Sequence, residues 1–230
     1  MSQHPAHALP IDGTRTLAEL AVSLPAASRV FHQHGLDFCC NGRRTVAEAC
    51  RQKQLDGDQV LAELRAAVDA DAQPVTFDAT TADTRTLIEH ILAAYHEPHR
   101  RELPRLLAMA EKVERVHGDK PECPRGLTAL LERIGAELEL HMQKEEQVLF
   151  PALLAGNGRL MAPAMRAMEL EHDDHGRNLE QLRELTDDFT PPAVACNTWR
   201  ALFLGLAELE LQLMQHIHLE NHVLFPRATN

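Results

Sequence analysis

The stretch HIHLENHVLFP (216–226) decides how this chain is read, because a near copy, HMQKEEQVLFP (141–151), stands earlier in the sequence. Both run His, three residues, Glu, two residues, then Val-Leu-Phe-Pro. On an α-helix an i,i+4 pair lies ~6 Å apart along the axis with ~40° of rotation, so His and Glu at this spacing converge on one point. The surrounding apolar residues set the face. Leu127, Leu131, Ile134, Leu138, His141, Glu145 and Val148 form one stripe, and Leu202, Leu206, Leu209, Leu213, His216, Glu220 and Val223 form another at the same spacings. Both His-Glu pairs therefore occupy core positions of amphipathic helices.

Working outward, Ala, Leu, Glu and Arg recur at helical spacing and alternating β-branched runs are nearly absent, so the fold class is all-α. Four long helical patterns cover about 84–116, 127–154, 160–188 and 193–224. They are separated by HGDKPECPRG (117–126), by Gly156 to Gly158, and by Pro191 and Pro192. Short connections between four helices predict an up-down-up-down bundle. Pro98 and Pro104 predict a kink or a break in the first helix. Upstream, residues 14–72 make shorter helical patterns, 73–83 reads as a linker with no 3.6-residue periodicity, and 1–13 as a flexible N-terminus.

The other two bundle helices also carry imidazoles. YHEPHRREL holds His96 and His99, and EHDDHGRNL holds His172 and His175; on the third helix both histidines fall on the stripe of Met161, Met165, Met168, Leu179 and Leu182. The first two helices thus resemble the last two, a quasi-two-fold arrangement in which each helix delivers at least one ligand. A single core histidine bonded to a neighbouring carboxylate would need no metal. Two buried carboxylates with four imidazoles would leave several polar groups unsatisfied, at about 1 to 3 kcal/mol each, and cations relieve that cost. Neutral imidazoles with carboxylates suit a pair of first-row ions, iron or manganese, bridged by the carboxylates. A ferritin-like site would need Glu-x-x-His on two helices, and in the bundle core only Glu169-x-x-His172 matches. His-Glu-x-x-His and Cys-x-x-Cys, the marks of zinc sites, are missing. Periodicity does not choose between the members of each His-x-x-His pair.

The order His, His-x-x-x-Glu, His, His-x-x-x-Glu resembles the hemerythrin-like di-iron proteins. Joined to GLDFCCNG (35–42), whose Asp-aromatic-Cys-Cys-x-Gly matches the family's N-terminal motif, the chain is similar over nearly its whole length to the iron-sulfur cluster repair di-iron family. The resemblance implies two irons per chain, with His96, His141, His172 and His216 as terminal ligands and Glu145 and Glu220 as bridges. It leaves His99 and His175 outside the ligand set. Hemerythrins proper add a fifth histidine and an aspartate with no clear equivalent here, so open iron positions are expected. It further implies repair of clusters damaged by nitric oxide or oxidants, by iron donation or by nitric oxide reduction. The partners would be damaged iron-sulfur proteins and nitric oxide or dioxygen as small ligands. A carrier or sensor that binds these gases without turnover is the alternative, and a structural bundle with incidental metals a third.

Three groups lie around this scheme. Adjacent Cys39 and Cys40 are poor chelators of one ion and form only a strained disulfide, so a thiolate at a helix start, a redox role or a tight packed turn are the readings. Glu137 and Glu171 sit beside the ligand stripes as candidate acids bonded to the ligands or carrying protons. His117, His218 and His222 fall off the inward stripes and are expected to face solvent.

Composition agrees with a globular protein. The 230 residues are 44% hydrophobic, enough to fill a core, and a formal net charge of −11 argues against general nucleic-acid binding. Five scattered cysteines point to reduced thiols. MSQHPAHALP has neither a basic nor an apolar leader region, and no apolar run is long enough to span a bilayer, so a cytoplasmic protein with no membrane association is expected, with a homodimer as one assembly the sequence allows. Fourteen histidines beside one Trp and one Tyr are the composition's one oddity.

Overall fold

The computed structural model describes residues 10–70 and 77–229. The flexible N-terminus expected for 1–13 and the linker expected for 73–83 lie partly outside these residues. In the N-terminal unit, α1 (Leu17–Ser23), α2 (Pro25–Gln33), α3 (Val46–Lys53) and α4 (Gly57–Ala70) pack around Phe31, Phe38 and Leu64. Thr16 and Thr45 each cap a helix, accepting from the backbone N–H of Glu19 and Glu48, whose carboxylates accept from the Thr backbone in return. This reciprocal pairing satisfies two otherwise orphaned N–H groups per helix. The two caps also pair with each other: Leu17 N–H donates to the Arg44 carbonyl and Val46 N–H to that of Arg15, both at 2.9 Å, around an isolated antiparallel bridge. No longer strand forms among the described residues.

The rest is an up-down-up-down bundle of four rods. The first joins α5 (Thr84–Ile91) through Leu92–His96 to α6 (Glu97–His117). The second joins α7 (Leu127–Lys144) through Glu145–Leu149 to α8 (Phe150–Leu154). The third is the unbroken α9 (Ala162–Thr186). The fourth joins α10 (Asn197–Leu219) through Glu220–Leu224 to α11 (Phe225–Thr229). The three joints are single π turns, in which the Glu97, Phe150 and Phe225 N–H groups reach back to Leu92, Glu145 and Glu220. In each, a proline follows one residue later: Pro98, Pro151 and Pro226. Proline has no N–H to give and its ring crowds the carbonyl four residues back, and a π turn opens the helix at that point. The break expected at Pro98 therefore takes this form, whereas the helix runs on through Pro104.

The extra residue of a π turn also shifts register. Val148, expected on the inward stripe, is 57% exposed, and Leu149 and Phe150 are buried in its place. Two apolar clusters fill the bundle, one around Leu87, Ile91, Phe150 and Leu224, the other around Leu131, Leu138, Trp199 and Leu206. The second is continuous with the N-terminal unit, where α2 packs on α10. No helix among the described residues is long and apolar enough to cross a membrane.

Candidate metal centre

Six side chains from all four rods meet in the bundle interior: His96, His141, Glu145, His172, His216 and Glu220, all essentially inaccessible. They fall into two four-donor groups, each with its ligand atoms within 4.8 Å of one another. His96, Glu145, His216 and Glu220 form one; His141, Glu145, His172 and Glu220 form the other. Both carboxylates belong to both. Glu145 turns Oε2 toward His96 Nε2 (3.4 Å) and Oε1 toward His141 Nε2 (3.3 Å). Glu220 turns Oε1 toward His216 Nε2 (3.3 Å) and Oε2 toward His172 Nε2 (3.1 Å). The imidazoles pair first rod with fourth and second with third, with Nε2 atoms 3.1 Å apart in both pairs. The π turns place these groups: one ends at His96, and the others begin at Glu145 and Glu220.

The outer nitrogens show why the inner ones point inward. His96 Nδ1 lies 2.8 Å from Glu146 Oε1, His141 Nδ1 3.0 Å from Glu171 Oε2, and His172 Nδ1 2.8 Å from Asn221 Oδ1. Acceptors on Nδ1 hold the proton there and leave the Nε2 lone pair facing the cage. His216 Nδ1 has no partner among the described residues, and its ring stacks on Tyr95 at 5.6 Å. Arg100 and Lys144 hold Glu146 and Glu171 at 2.7 and 2.6 Å. Burial would raise both carboxyls, but these cations and the imidazoles outweigh it and keep both below the ordinary carboxylate value.

The donor set calls for positive charge. None of the four oxygens of Glu145 and Glu220 receives a hydrogen bond of good geometry from the described residues, and a buried carboxylate without a partner is costly. Burial alone would lower the His141 imidazole, but Glu145 and Glu220 override it and push it up to about 9. Nitrogen and carboxylate donors in two groups sharing both carboxylates fit a pair of divalent first-row cations.

His99 and His175 flank the cage outside both groups. They are buried with no partner among the described residues on either ring nitrogen, and their rings lie 5.6 Å from His216 and 5.1 Å from His141. Burial and the neighbouring imidazoles keep them neutral, His175 near about 3 and His99 well below the ordinary value. Glu171 contacts a cage imidazole, but Glu137 is exposed and accepts from Asn178 Nδ2 at 2.7 Å, away from the cage. Glu146 and Asn221, which hold His96 and His172, were not singled out in the sequence; their positions directly after Glu145 and Glu220 are the signal that could have found them.

The expectation that His117, His218 and His222 face solvent is overturned. His218 is 3% exposed and donates from Nδ1 to the Phe38 carbonyl at 3.1 Å, and the half-buried His222 donates from Nε2 to the Cys39 carbonyl at 2.9 Å. The N-terminal unit covers the outer face of the fourth rod, so residues off the inward stripe are buried by a second partner. His117 is half-buried against Trp199, with Nε2 3.3 Å from Cys196 Sγ. The cysteine pair is in the loop between α2 and α3, not at a helix start. Asp37 Oδ1 accepts from the backbone N–H groups of Cys39 (3.1 Å) and Cys40 (2.9 Å) and from Cys39 Sγ (3.2 Å). The two sulfurs are 3.6 Å apart and free. The Cys40 contact and burial raise the Cys39 thiol well above its usual value, so Cys39 is held as a thiol. At Gly42 a Cβ would collide with the Phe38 carbonyl and the His222 ring, which is why this tight loop ends on glycine.

A histidine-carboxylate cage inside four antiparallel rods defines a cation-binding helical bundle, and residues 87–228 match the Hemerythrin HHE cation binding domain. Residues 13–68 match a domain of unknown function, DUF542. The chain is 49% identical over 215 residues to the iron-sulfur cluster repair protein YtfE of Musicola paradisiaca, covering 93% of this chain and 96% of that one. The Yersinia pseudotuberculosis protein of the same name is 48% identical over 221 residues, and a probable iron-sulfur cluster repair protein of Haemophilus influenzae 44% over 214, with the same coverage. The chain belongs to this family of hemerythrin-type iron-sulfur cluster repair proteins.

Proposed function

We propose that the cage binds two iron ions and that the protein takes part, in the cytoplasm, in repairing iron-sulfur clusters damaged by nitrosative and oxidative stress. The observation that carries this reading is the sharing of Glu145 and Glu220 between two four-donor groups, which suits two ions held close together rather than one. The names of the relatives support the repair role. Each ion would take two imidazole nitrogens and two carboxylate oxygens, short of an octahedral shell. A ferrous pair would supply redox-active positions open to nitric oxide or dioxygen. The residues of this chain hold the site in readiness for it: Glu146, Glu171 and Asn221 fix the imidazoles, Arg100 and Lys144 fix the carboxylates behind them, and Phe150 and Phe225 lie against the rings of His96 and His172 on the apolar side.

Two routes to repair differ in what leaves the protein. In donation iron is the cargo, passed to a cluster that has lost it; in nitric oxide reduction the iron stays. Anaerobic loading followed by metal analysis and Mössbauer spectroscopy tests the site: about two coupled irons per chain is the expected result, and fewer than one rejects it. Incubating the loaded chain with an iron-depleted cluster protein, while assaying nitrous oxide, then separates the routes. A chain that does neither is a carrier or sensor of dioxygen or nitric oxide.

A further inference from the structure

Of the four cage imidazoles, His172 alone has its outer nitrogen held by a neutral side chain that is itself held by the N-terminal unit. Asn221 Nδ2 donates to the Cys39 carbonyl at 3.2 Å, and Asn221 Oδ1 lies 2.8 Å from His172 Nδ1. A carbonyl oxygen can only accept, so the amide nitrogen must face Cys39 and the amide oxygen must face His172. That orientation requires a proton on Nδ1 and leaves the Nε2 lone pair for the cage. The same loop touches the same residue a second time, since Cys40 Sγ donates to the His172 backbone carbonyl at 3.4 Å. His218 and His222 fasten the loop beside these contacts through the Phe38 and Cys39 carbonyls. Both cysteines line a cavity of about 710 Å³ with Asp37, Asn41, Asp173 and Arg177; Cys40 is half-buried there and Cys39 buried.

We propose that Asn221 is a positioning residue that ties the Cys39–Cys40 loop to the metal centre, so that cation occupancy at His172 and thiol reactivity at Cys40 are linked. The inference rests on the metal reading above and adds to it a second site, a reactive thiol whose access the centre controls. A cation drawing on His172 Nε2 fixes the ring, the ring fixes the Asn221 amide, and the amide fixes the Cys39 carbonyl beside Cys40. Linkage is reciprocal, so a group attached to Cys40 must alter cation affinity by the factor with which the cation alters binding at the loop. The two arms of Asn221 are separable. In Asn221→Asp a carboxylate still accepts from His172 Nδ1 but has nothing to donate to Cys39; Asn221→Ala loses both arms.

The test measures iodoacetamide alkylation of Cys40, resolved from the other cysteines by peptide mass spectrometry, on the full chain with and without iron under anaerobic conditions. In the unsubstituted chain loading should slow Cys40 by about fivefold or more, the lower end of ordinary coupling between sites. Asn221→Asp should keep its iron and lose the difference in rate. Asn221→Ala should lose the difference and also bind iron about 10–100-fold more weakly, as for other residues that orient metal-ligating histidines. Nitrogen NMR of the metal-free chains supplies a reading that bulk folding does not move: the Nδ1–H form of His172 in the unsubstituted chain and in Asn221→Asp, and a mixture of tautomers in Asn221→Ala. Equal Cys40 rates with and without iron in a chain that carries about two irons would overturn this inference alone, as would a full rate difference retained in Asn221→Asp. A chain that binds no iron overturns the metal reading, and the inference with it.

Discussion

At the scale of the residue, Glu145 and Glu146 are neighbours in sequence with separate work to do. Glu145 gives one oxygen to each donor group, so Glu145→Gln should prevent metal loading of both groups rather than one, and Glu220→Gln should do the same. Metal analysis after loading distinguishes the cases: content near zero agrees with bridging carboxylates, and content near one iron per chain contradicts it. Glu146→Ala and Glu171→Ala, which release the outer nitrogens of His96 and His141, should weaken iron binding about 10–100-fold. Glu137→Ala, whose carboxylate accepts from Asn178, should leave iron affinity unchanged. The paired His-x-x-x-Glu could be read from the sequence because both members of a pair share one helix face. The choice of His96 over His99 and of His172 over His175 could not, because it depends on how far each helix is rotated toward its neighbours, and only the family resemblance supplied it. Asn221 escaped for the same reason: its two partners stand in other elements.

At the scale of the element, the proline after each π turn links helix geometry to the cage. An α-helix continuing unbroken through residue 150 would rotate everything beyond Glu145 by about 100° relative to the π-turned rod, one residue's share of a turn. Pro151→Ala removes the obstacle to that rearrangement. We expect iron affinity to fall by about tenfold or more, with the thermal midpoint of the metal-free chain unchanged or raised, because a backbone hydrogen bond is regained. Unchanged iron affinity would mean that the turn is held by the packing of Phe150 and not by the proline. Pro104 is the control. It lies inside α6, where proline costs about 3 kcal/mol relative to alanine, so Pro104→Ala should raise stability in denaturant titration and leave iron binding as it was. The breaks between rods were visible in the sequence as Gly and Pro clusters. The π turns were not, although Pro151 and Pro226 stand six residues after the two cage glutamates: hydrophobic periodicity assumes one uniform pitch, which is how Val148 came to be assigned to the core.

At the scale of the whole molecule, the N-terminal unit and the bundle share one apolar core and a polar seam along the fourth rod. Both units were legible as separate helical patterns. That one covers the other was not, because periodicity describes the faces of a helix and is silent about what a distant segment brings to them. The seam makes stability depend on pH through His218, whose Nδ1 serves the Phe38 carbonyl and whose ring packs on Phe38 at 5.5 Å. Burial, with the neighbouring His222 imidazole adding to it, lowers His218 to about 3. The folded chain therefore keeps this ring neutral where the unfolded chain, titrating near 6.5, takes up a proton. Above about pH 6.5 neither state binds the proton and the contribution is fully present; as pH falls toward 3 the unfolded state binds more protons and stability is lost. Between pH 7.5 and pH 5 this one group should cost about 2 kcal/mol, since each unit below its unfolded pKa is worth about 1.4 kcal/mol. A cation in the nearby cage pushes His218 in the same direction and leaves the sign unchanged. Urea titrations of the metal-free chain and of His218→Asn, which can still donate to Phe38 but does not titrate, isolate the effect. The unsubstituted chain should lose about 2 kcal/mol more than the variant over that interval, and parallel losses would show that the seam tolerates a charged His218.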